Sequence, residues 1–130
     1  MDKTEYLQKL NQLALDKTKY CIISGGSLLV RGLREITSDI DIKIQPDYFE
    51  ELKETHTFKK SPKFSYLYEL GEDVELAVQP FSQDDFDIVE GYQVSKLEIE
   101  LKWKIEHHRP KDQKDIIRIK EYLKTQSDKI

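Results

Sequence analysis

Two aspartates stand one residue apart in the segment 38–44, and this spacing is the feature of the sequence that most directly indicates chemistry. Because side chains alternate along a strand, Asp39 and Asp41 would share one face, with Cα atoms about 6.6–7 Å apart. The isoleucines that alternate with them would pack against helices on the opposite face. Two ionised carboxylates side by side repel unless a cation binds them or water screens them. Such a pair suits Mg²⁺, which prefers one or two carboxylates together with substrate phosphates.

A glycine-rich turn precedes the aspartates and offers a second half of a site. Gly25 and Gly26 allow close approach of a ligand to the backbone. The free N–H groups at the start of a helix near Ser27 favour a bound phosphate. Ser27 could cap that helix or donate to the phosphate itself. Paired carboxylates beside a phosphate-binding turn predict a site that processes nucleotides.

The run GGSLLVRGLREITSDIDI resembles the nucleotidyltransferase superfamily of polymerase-beta-like folds. The motif of that superfamily is an apolar strand, a Gly-Gly or Gly-Ser turn, a short connection, and then Asp-apolar-Asp or Asp-apolar-Glu. Its positions here are Gly25-Gly26-Ser27 and Asp39-Ile40-Asp41. The run is also similar to small bacterial members, among them antibiotic nucleotidyltransferases and toxin-type proteins of abortive-infection systems.

A second resemblance lies in the segment 97–116, LEIELKWKIEHHRPKDQKDI. It is similar to a segment of aminoglycoside and lincosamide nucleotidyltransferase-like proteins, in which an apolar helix bears a lysine and runs into Arg-Pro-Lys-Asp. The matching positions are Lys104, Arg109, Lys111, Asp112 and Asp115. The resemblance implies that Lys104 binds the triphosphate. The alternative is that Lys104 and Lys111 lie on the surface and that an aspartate caps the last helix.

The superfamily uses a third carboxylate on a neighbouring strand, and the segment 73–80 offers Asp73 and Glu75 on one face. Glu75 lies between two apolar residues and matches the family pattern, whereas Asp73 lies at a turn. The resemblance implies that Asp39, Asp41 and Glu75 hold Mg²⁺ or Mn²⁺. An NTP, with ATP as the first candidate, would transfer its NMP to a hydroxyl or phosphate and release pyrophosphate. The acceptor, whether a small molecule, an RNA or a protein, stays open.

A second hypothesis comes from another functional class. A nucleotidyltransferase-like domain could bind a nucleotide or a partner protein without turnover, including as one half of a toxin–antitoxin pair. A chain of 130 residues leaves little protein for an acceptor pocket, so activity could require a homodimer or a partner protein.

Several other side chains have two open interpretations. Arg31 and Arg34 follow the glycine turn and could each hold a phosphate oxygen or face solvent. Trp103 could stack on a base or pack against the sheet. Tyr66 and Tyr68 are expected to share a strand face, which could line a cleft or belong to ordinary packing.

Apolar periodicity predicts the elements that position these residues. Helices are expected at 3–15, from 27 to before 36, from 46 onwards, at 94–107 and at 112–123; strands are expected at 20–23, 38–44, 63–70 and 74–81. Gly71 would turn the last two strands into a hairpin, and Pro110 would separate the two C-terminal helices. The expected fold is α+β: a nucleotidyltransferase-like mixed sheet with flanking helices mainly on one side, adjacent strands at 20–23, 38–44 and 73–80, and two C-terminal helices. One domain would span 1–130, with a core at about 1–90 and a helical portion at about 91–130.

Composition limits the alternatives. With 38% hydrophobic and 35% charged residues, the chain suits a single domain that has its own core. A net charge of −4 argues against a broad surface for nucleic acid, although basic residues concentrate near the end. No apolar run approaches the ~20 residues that cross a bilayer, and the first residues lack the apolar core of a signal peptide. The single cysteine, Cys21, excludes a disulfide framework, and a cytoplasmic protein is expected.

Overall fold

A computed structural model of the chain describes residues 1–128, which form five α-helices and one seven-stranded sheet. The helices are α1 (Lys3–Gln12), α2 (Gly25–Val30), α3 (Pro46–Leu52), α4 (Leu97–His107) and α5 (Gln113–Asp128). The strands are β1 (Tyr20–Ile22), β2 (Ile40–Ile44), β3 (Lys59–Lys60), β4 (Leu67–Leu70), β5 (Val74–Val78), β6 (Phe86–Val89) and β7 (Tyr92–Ser95). Short 3-10 turns precede β6 (Gln83–Asp85) and α5 (Pro110–Asp112).

The sheet is mixed and has the strand order β3-β4-β5-β2-β1-β7-β6. Strand β2 pairs antiparallel with β1 and parallel with β5, and β1 pairs parallel with β7. The predicted neighbourhood of β1, β2 and β5 and the α+β class are therefore confirmed. The register of β2 and β5 places Asp41 directly opposite Glu75, which matters for the site described below.

Alternation along β2 decides which side of the sheet becomes the core. Ile40, Ile42 and Ile44 are completely buried on one face, whereas Asp41 and Lys43 point to the other face and stay partly exposed. Helices α1, α2 and α3 cover the apolar face with Tyr6, Leu10, Leu29, Val30, Phe49 and Leu52. A smaller cluster of Leu28, Leu97 and Ile119 joins α2 to α4 and α5. The polar face of the sheet is left available for a site.

The expected hairpin around Gly71 is confirmed, although its strands are shorter than predicted. Strands β4 and β5 pair antiparallel, and Gly71 adopts a φ of +69° in the turn. Glycine adopts this left-handed backbone without a steric penalty. The strand predicted from 38 begins only at Ile40, so that Asp41 lies in β2 and Asp39 lies just before it.

A second hairpin, formed by β6 and β7, was not predicted, and it shows that the helix expected over 94–107 was wrong at its start. Val94 is a fully buried strand residue paired with Ile22 of β1, and α4 begins only at Leu97. The turn residues Glu90 and Gly91 have φ values of +51° and +85°, as a two-residue type I′ turn requires. Glu-Gly is a weaker turn signal than Asn-Gly.

The remaining helices lie near the expected positions, but α1 ends at Gln12 instead of 15 and α2 begins at Gly25 instead of 27. Pro46 occupies the first turn of α3, and Phe49 and Leu52 face inward as predicted. The turn at Pro110 separates α4 from α5, and α5 extends further than the predicted end at 123. Within residues 1–128, no helix is both long enough and apolar enough to cross a bilayer.

Candidate functional site

A cavity of about 340 Å³ lies over the polar face of the sheet and collects most of the residues that the two motifs single out. Its lining includes the motif residues Gly25, Asp39, Asp41, Glu75, Lys104, Arg109, Lys111 and Asp112. Gly26, Ser27 and Asp115 are not among its lining residues. Segments that are far apart in sequence, from residue 25 to residue 112, therefore meet at one place.

Asp41 is a partly buried carboxylate on the cavity floor. It lies opposite Glu75 across two parallel strands, which run ~4.8 Å apart in a sheet. Burial disfavours its charged form, and the nearby carboxylates of Glu75 and Asp39 repel it. Together these effects raise the pKa of Asp41 to about 7. The folded chain therefore holds a carboxyl group whose ionised form would be favoured by an added cation.

Asp39 is more accessible than Asp41, whereas Glu75 is partly buried like Asp41. Asp39 precedes β2, is exposed and accepts a hydrogen bond of 3.3 Å from the Ser38 hydroxyl. The expectation that both aspartates lie inside the strand was therefore wrong, although both line the cavity. The alternative third carboxylate, Asp73, forms an ion pair with Lys9 and does not line the cavity.

An exposed lysine reaches this group of carboxylates. The Lys63 ammonium donates to Glu75 Oε1 at 2.9 Å, and Glu75, Asp39 and Asp41 together raise the pKa of Lys63. Within residues 1–128, no three or more His, Cys, Asp or Glu side chains are arranged to hold a metal ion. Asp39, Asp41 and Glu75 do offer the carboxylate oxygens that Mg²⁺ prefers, but the three side chains would have to move closer together to bind one ion. Coordination by Glu75 would first require Lys63 to move away.

The turn between β1 and α2 has a strained backbone. Ser24 has φ +57° and ψ −137°, a conformation that a residue with a side chain rarely adopts. Its N–H donates to Glu100 Oε1 at 2.9 Å, and Glu100 is itself buried on α4. Burial raises the pKa of Glu100, although Lys104 and hydrogen bonds from Ser95 and Ser24 favour its ionised form. The turn is thus tied to α4 by a buried carboxyl group.

The glycine pair is required by packing as well as by any ligand. A Cβ atom on Gly25 would overlap the Arg34 guanidinium and come within 2.7 Å of Thr37 Oγ1. A Cβ atom on Gly26 would overlap the Tyr6 hydroxyl and come within 2.9 Å of Ile22 Cγ2. Gly26 therefore faces the core, and only Gly25 lines the cavity.

Ser27 does not cap α2, because the helix begins two residues earlier than predicted and its N-cap position is Ser24. The Ser24 side chain makes no capping hydrogen bond. Ser27 is completely buried, and its hydroxyl donates to the Ser24 carbonyl at 2.5 Å. Its hydroxyl therefore stabilises the turn from inside.

Lys104 lies in a buried charge network, so the alternative that placed it on the surface was wrong. It is 2% exposed, and its ammonium lies 3.4 Å from Asp112 Oδ1 and 3.7 Å from Asp115 Oδ2. Arg34 donates to Asp115 at 2.8 Å, and Arg109 donates to Asp112 at 2.6 and 3.1 Å. We call these five residues the charge network; they join α4, the start of α5 and the loop before β2.

Charge pairing within this network outweighs desolvation at Asp112. Burial opposes its ionisation, but the Arg109 hydrogen bond and the charges of Lys104 and Arg109 hold the pKa of Asp112 below its ordinary value. Lys111, by contrast, is exposed at the cavity edge. Arg31, the other arginine that follows the glycine turn, lies outside the cavity and donates to the carbonyls of Ser27 and Ser95.

Several cavity residues were not predicted from the sequence, among them Lys43, Lys63, Phe64 and Glu100. Lys43 lies on the same face of β2 as Asp41, and the two-residue period of a strand was enough to find it. No pattern in the sequence marks Glu100 as a buried residue, because acidic residues are common on the exposed faces of helices.

Aromatic side chains complete the cavity lining. Tyr66 and Trp103 line it, together with Phe64. Tyr68 does not, because it packs on Phe49 with ring centroids 4.7 Å apart. The expectation that Tyr66 and Tyr68 share a strand face was therefore wrong, since β4 begins only after Tyr66.

The chain was compared with protein-family models, curated proteins and solved structures, and none of them matches it. The resemblance to nucleotidyltransferases therefore depends on the residues of the two motifs. The meeting of those motifs in one cavity is a separate observation, because it comes from the three-dimensional arrangement of this chain.

Proposed function

We propose that this chain is a Mg²⁺- or Mn²⁺-dependent nucleotidyltransferase that transfers an NMP from an NTP, ATP being the first candidate, to a hydroxyl or phosphate acceptor. The observation that carries the proposal is the pairing of Asp41 with Glu75 in a cavity that Asp39 and Gly25 also line. A soluble fold has no structural need for three carboxylates at one place on a sheet face, because their repulsion lowers stability. A cationic ligand would relieve that repulsion.

The two walls of the cavity differ in charge. The floor carries an excess of acid, since Asp39, Asp41 and Glu75 face only Lys43 and Lys63. The helical side carries an excess of base, since Lys104, Arg109 and Lys111 face only Glu100 and Asp112. A triphosphate with its bound cation has the same division of charge, since the cation is positive and the outer phosphate oxygens are negative. The cavity is therefore complementary to a metal-bound NTP rather than to a simple anion.

The chain's own residues would share the work of the reaction. Asp39, Asp41 and Glu75 would hold the divalent cation, which when bound neutralises phosphate charge and favours an ionised acceptor hydroxyl. Glu75, which lies opposite Asp41 on the neighbouring strand, would accept the proton of the acceptor. The acceptor oxygen would form a bond to the α-phosphorus as the bond to the bridging oxygen breaks, and pyrophosphate would leave with that electron pair.

A second candidate function is the binding of a nucleotide or a partner protein without turnover, including in a toxin–antitoxin pair. The contact between Lys63 and Glu75 favours it, because a lysine already neutralises the carboxylate that chemistry needs. Either function is proposed for the cytoplasm, where the free, buried thiol of Cys21 would stay reduced. For the transferase function, a homodimer or a partner protein would supply the surface that binds the acceptor.

Transfer of label tests the first proposal. The protein is incubated with each α-labelled NTP, with Mg²⁺ or Mn²⁺ and with cell lysate, and the labelled product is identified by nuclease or protease digestion. We expect labelling that requires the divalent cation and is lost on chelation. No labelling with any of the four NTPs and either metal would favour the binding function.

A further inference from the structure

A row of planar side chains runs along the cavity, and four of its five members line it. Tyr66 stacks on Phe64, with ring centroids 5.3 Å apart and an interplanar angle of 15°. Phe64 meets His107 edge-on at 6.5 Å, and His107 stacks on Trp103 at 3.8 Å. The Arg109 guanidinium lies 4.5 Å from the centre of the Trp103 ring. We call these five side chains the aromatic row.

The aromatic row is part of the cavity and borders both of its charged sides. Phe64, Tyr66, Trp103 and Arg109 all line it. Phe64 is 37% exposed, although apolar rings of this size are usually buried. It follows Lys63 in the chain, and Lys63 contacts Glu75 on the cavity floor. At the other end, Trp103 precedes Lys104 of the charge network. A ligand on the cavity floor would therefore lie beside exposed ring surface.

We propose that the aromatic row binds the base of a nucleotide by stacking at its Phe64 and Tyr66 end, because His107 and Arg109 already cover the Trp103 ring. Every base has a π-face, and aromatic side chains combined with arginine form a sequence-tolerant platform for bases. An arginine beside the rings also suits the phosphates that accompany a base. The inference deepens the proposed nucleotidyltransferase function and depends on it for the identity of the ligand as a nucleotide.

The base could come from the NTP or from a nucleotide acceptor, and both sources offer the same planar ring. The alternative role of the row is a tertiary contact that joins the segment before β4 to α4 without any ligand. Base stacking predicts that a ligand with a base binds more tightly than one without, whereas a tertiary contact predicts no such difference. Binding measurements therefore separate the two roles.

The single tryptophan of the chain, Trp103, makes the test direct. Its fluorescence is followed while Mg²⁺-ATP, Mg²⁺-tripolyphosphate or an RNA trinucleotide is added, and affinity is measured by calorimetry. If the row stacks on the base of the NTP, Mg²⁺-ATP quenches Trp103 and binds more tightly than Mg²⁺-tripolyphosphate, which has no base. If it stacks on the acceptor base, the trinucleotide quenches Trp103 instead.

Phe64→Leu and Tyr66→Leu are the test variants, and Phe81→Leu is the matched control. Phe81 is also half-buried and has an aromatic neighbour, Phe86, but it does not line the cavity. We expect roughly 5- to 150-fold weaker binding of the base-containing ligand in either test variant, the range typical of one stacked base. Binding of Mg²⁺-tripolyphosphate should not change, and the Phe81 variant should bind like the unmodified protein.

Two results separate failure of this inference from failure of the proposed function. The stacking role would be overturned if each of the three ligands bound the test variants as tightly as the unmodified protein and none of them quenched Trp103. The row would then be a tertiary contact only. Unchanged binding of Mg²⁺-tripolyphosphate in Asp41→Asn would overturn the metal site instead. Quenching by the base-containing ligand that is lost in the test variants would support the aromatic row in either case.

Discussion

The chain encloses carboxylates in two neighbouring regions and treats them in opposite ways. On the sheet face, Asp41 has acids around it, and burial and repulsion raise its pKa to about 7. In the charge network, Lys104 and Arg109 hold the pKa of Asp112 below its ordinary value. A buried carboxylate with cations around it serves the fold, whereas one among other carboxylates lowers stability until a ligand binds. The contrast indicates which region is the site.

The largest expected effect concerns the chemistry of the sheet face. Glu75→Gln keeps the size of the side chain but removes its charge and its capacity to accept a proton. Turnover should fall by about 10²–10⁴-fold, the usual contribution of a general base, while most of the affinity for the nucleotide is retained. The measurement is transfer of label from an α-labelled NTP at matched nucleotide occupancy.

Asp73→Asn is the control for that experiment, since this acid lies two residues earlier and pairs with Lys9 outside the cavity. It should retain normal turnover. Equal labelling by Glu75→Gln and the unmodified protein would show that Glu75 is not catalytic.

The next prediction tests the charge network. Asp115 is 1% exposed and pairs with Arg34 and Lys104, so Asp115→Asn leaves buried cations with less compensation. We expect a loss of about 3 kcal/mol in the free energy of unfolding, the lower end for a broken buried ion pair, because Asp112 still contacts Lys104. Urea denaturation followed by circular dichroism provides the value. A loss below about 1 kcal/mol would mean that these charges are hydrated rather than paired.

The matching change on the sheet face should have the opposite sign. The pKa of Asp41 is about 7 in the folded chain, against an ordinary value of 3.8, so its stabilising contribution is present below the ordinary value and is lost as the pH rises through about 7. Asp41→Asn should therefore stabilise the protein by about 1–3 kcal/mol above neutral pH, and the gain should disappear near pH 4. Thermal or urea denaturation across this pH range measures it.

Asp39→Asn is a useful comparison. Asp39 is exposed to solvent, and its negative charge disfavours the ionised form of Asp41. It should give a smaller gain. If Asp41→Asn and Asp115→Asn change stability in the same direction above neutral pH, the contrast between the two regions is wrong.

The two regions also differ in how far the sequence predicts them. The faces of the sheet depend on period-two alternation, which is local, so the positions of Asp41 and Glu75 on the polar faces of their strands could be inferred. The adjacency of β1, β2 and β5 was implied by the family resemblance and not by alternation. The charge network depends on contacts between α4, α5 and the loop before β2. No local pattern in the sequence shows that Lys104 and Arg34 both contact Asp115. For this reason the sequence could not decide whether Lys104 is buried or lies on the surface.

The wrong predictions also arise from contacts between segments that are distant in the sequence. Val94 stands at helical spacing from Leu97 and Leu101, yet its pairing with Ile22 makes it a strand residue. The roles of Gly25 and Gly26 were inferred from a ligand, but the structure shows that side chains from distant segments, Tyr6 and Arg34, also require them. Local periodicity therefore predicts strands and faces better than it predicts where an element begins or what packs against it.

The smallest expected effect lies at the border of the sheet face, where Lys63 neutralises Glu75. Its side chain is 61% exposed, and an exposed ion pair contributes about 1 kcal/mol or less. Lys63→Met should therefore leave stability nearly unchanged but raise the affinity for Mg²⁺ up to about fivefold, because the lysine no longer competes for the carboxylate. Calorimetric titration with Mg²⁺ measures this. Lys60→Met is the control, because Lys60 donates to backbone carbonyls, lies over the Tyr68 ring and does not line the cavity. Weaker binding of Mg²⁺ in Lys63→Met than in Lys60→Met would show that Lys63 helps to form the site instead of competing for it.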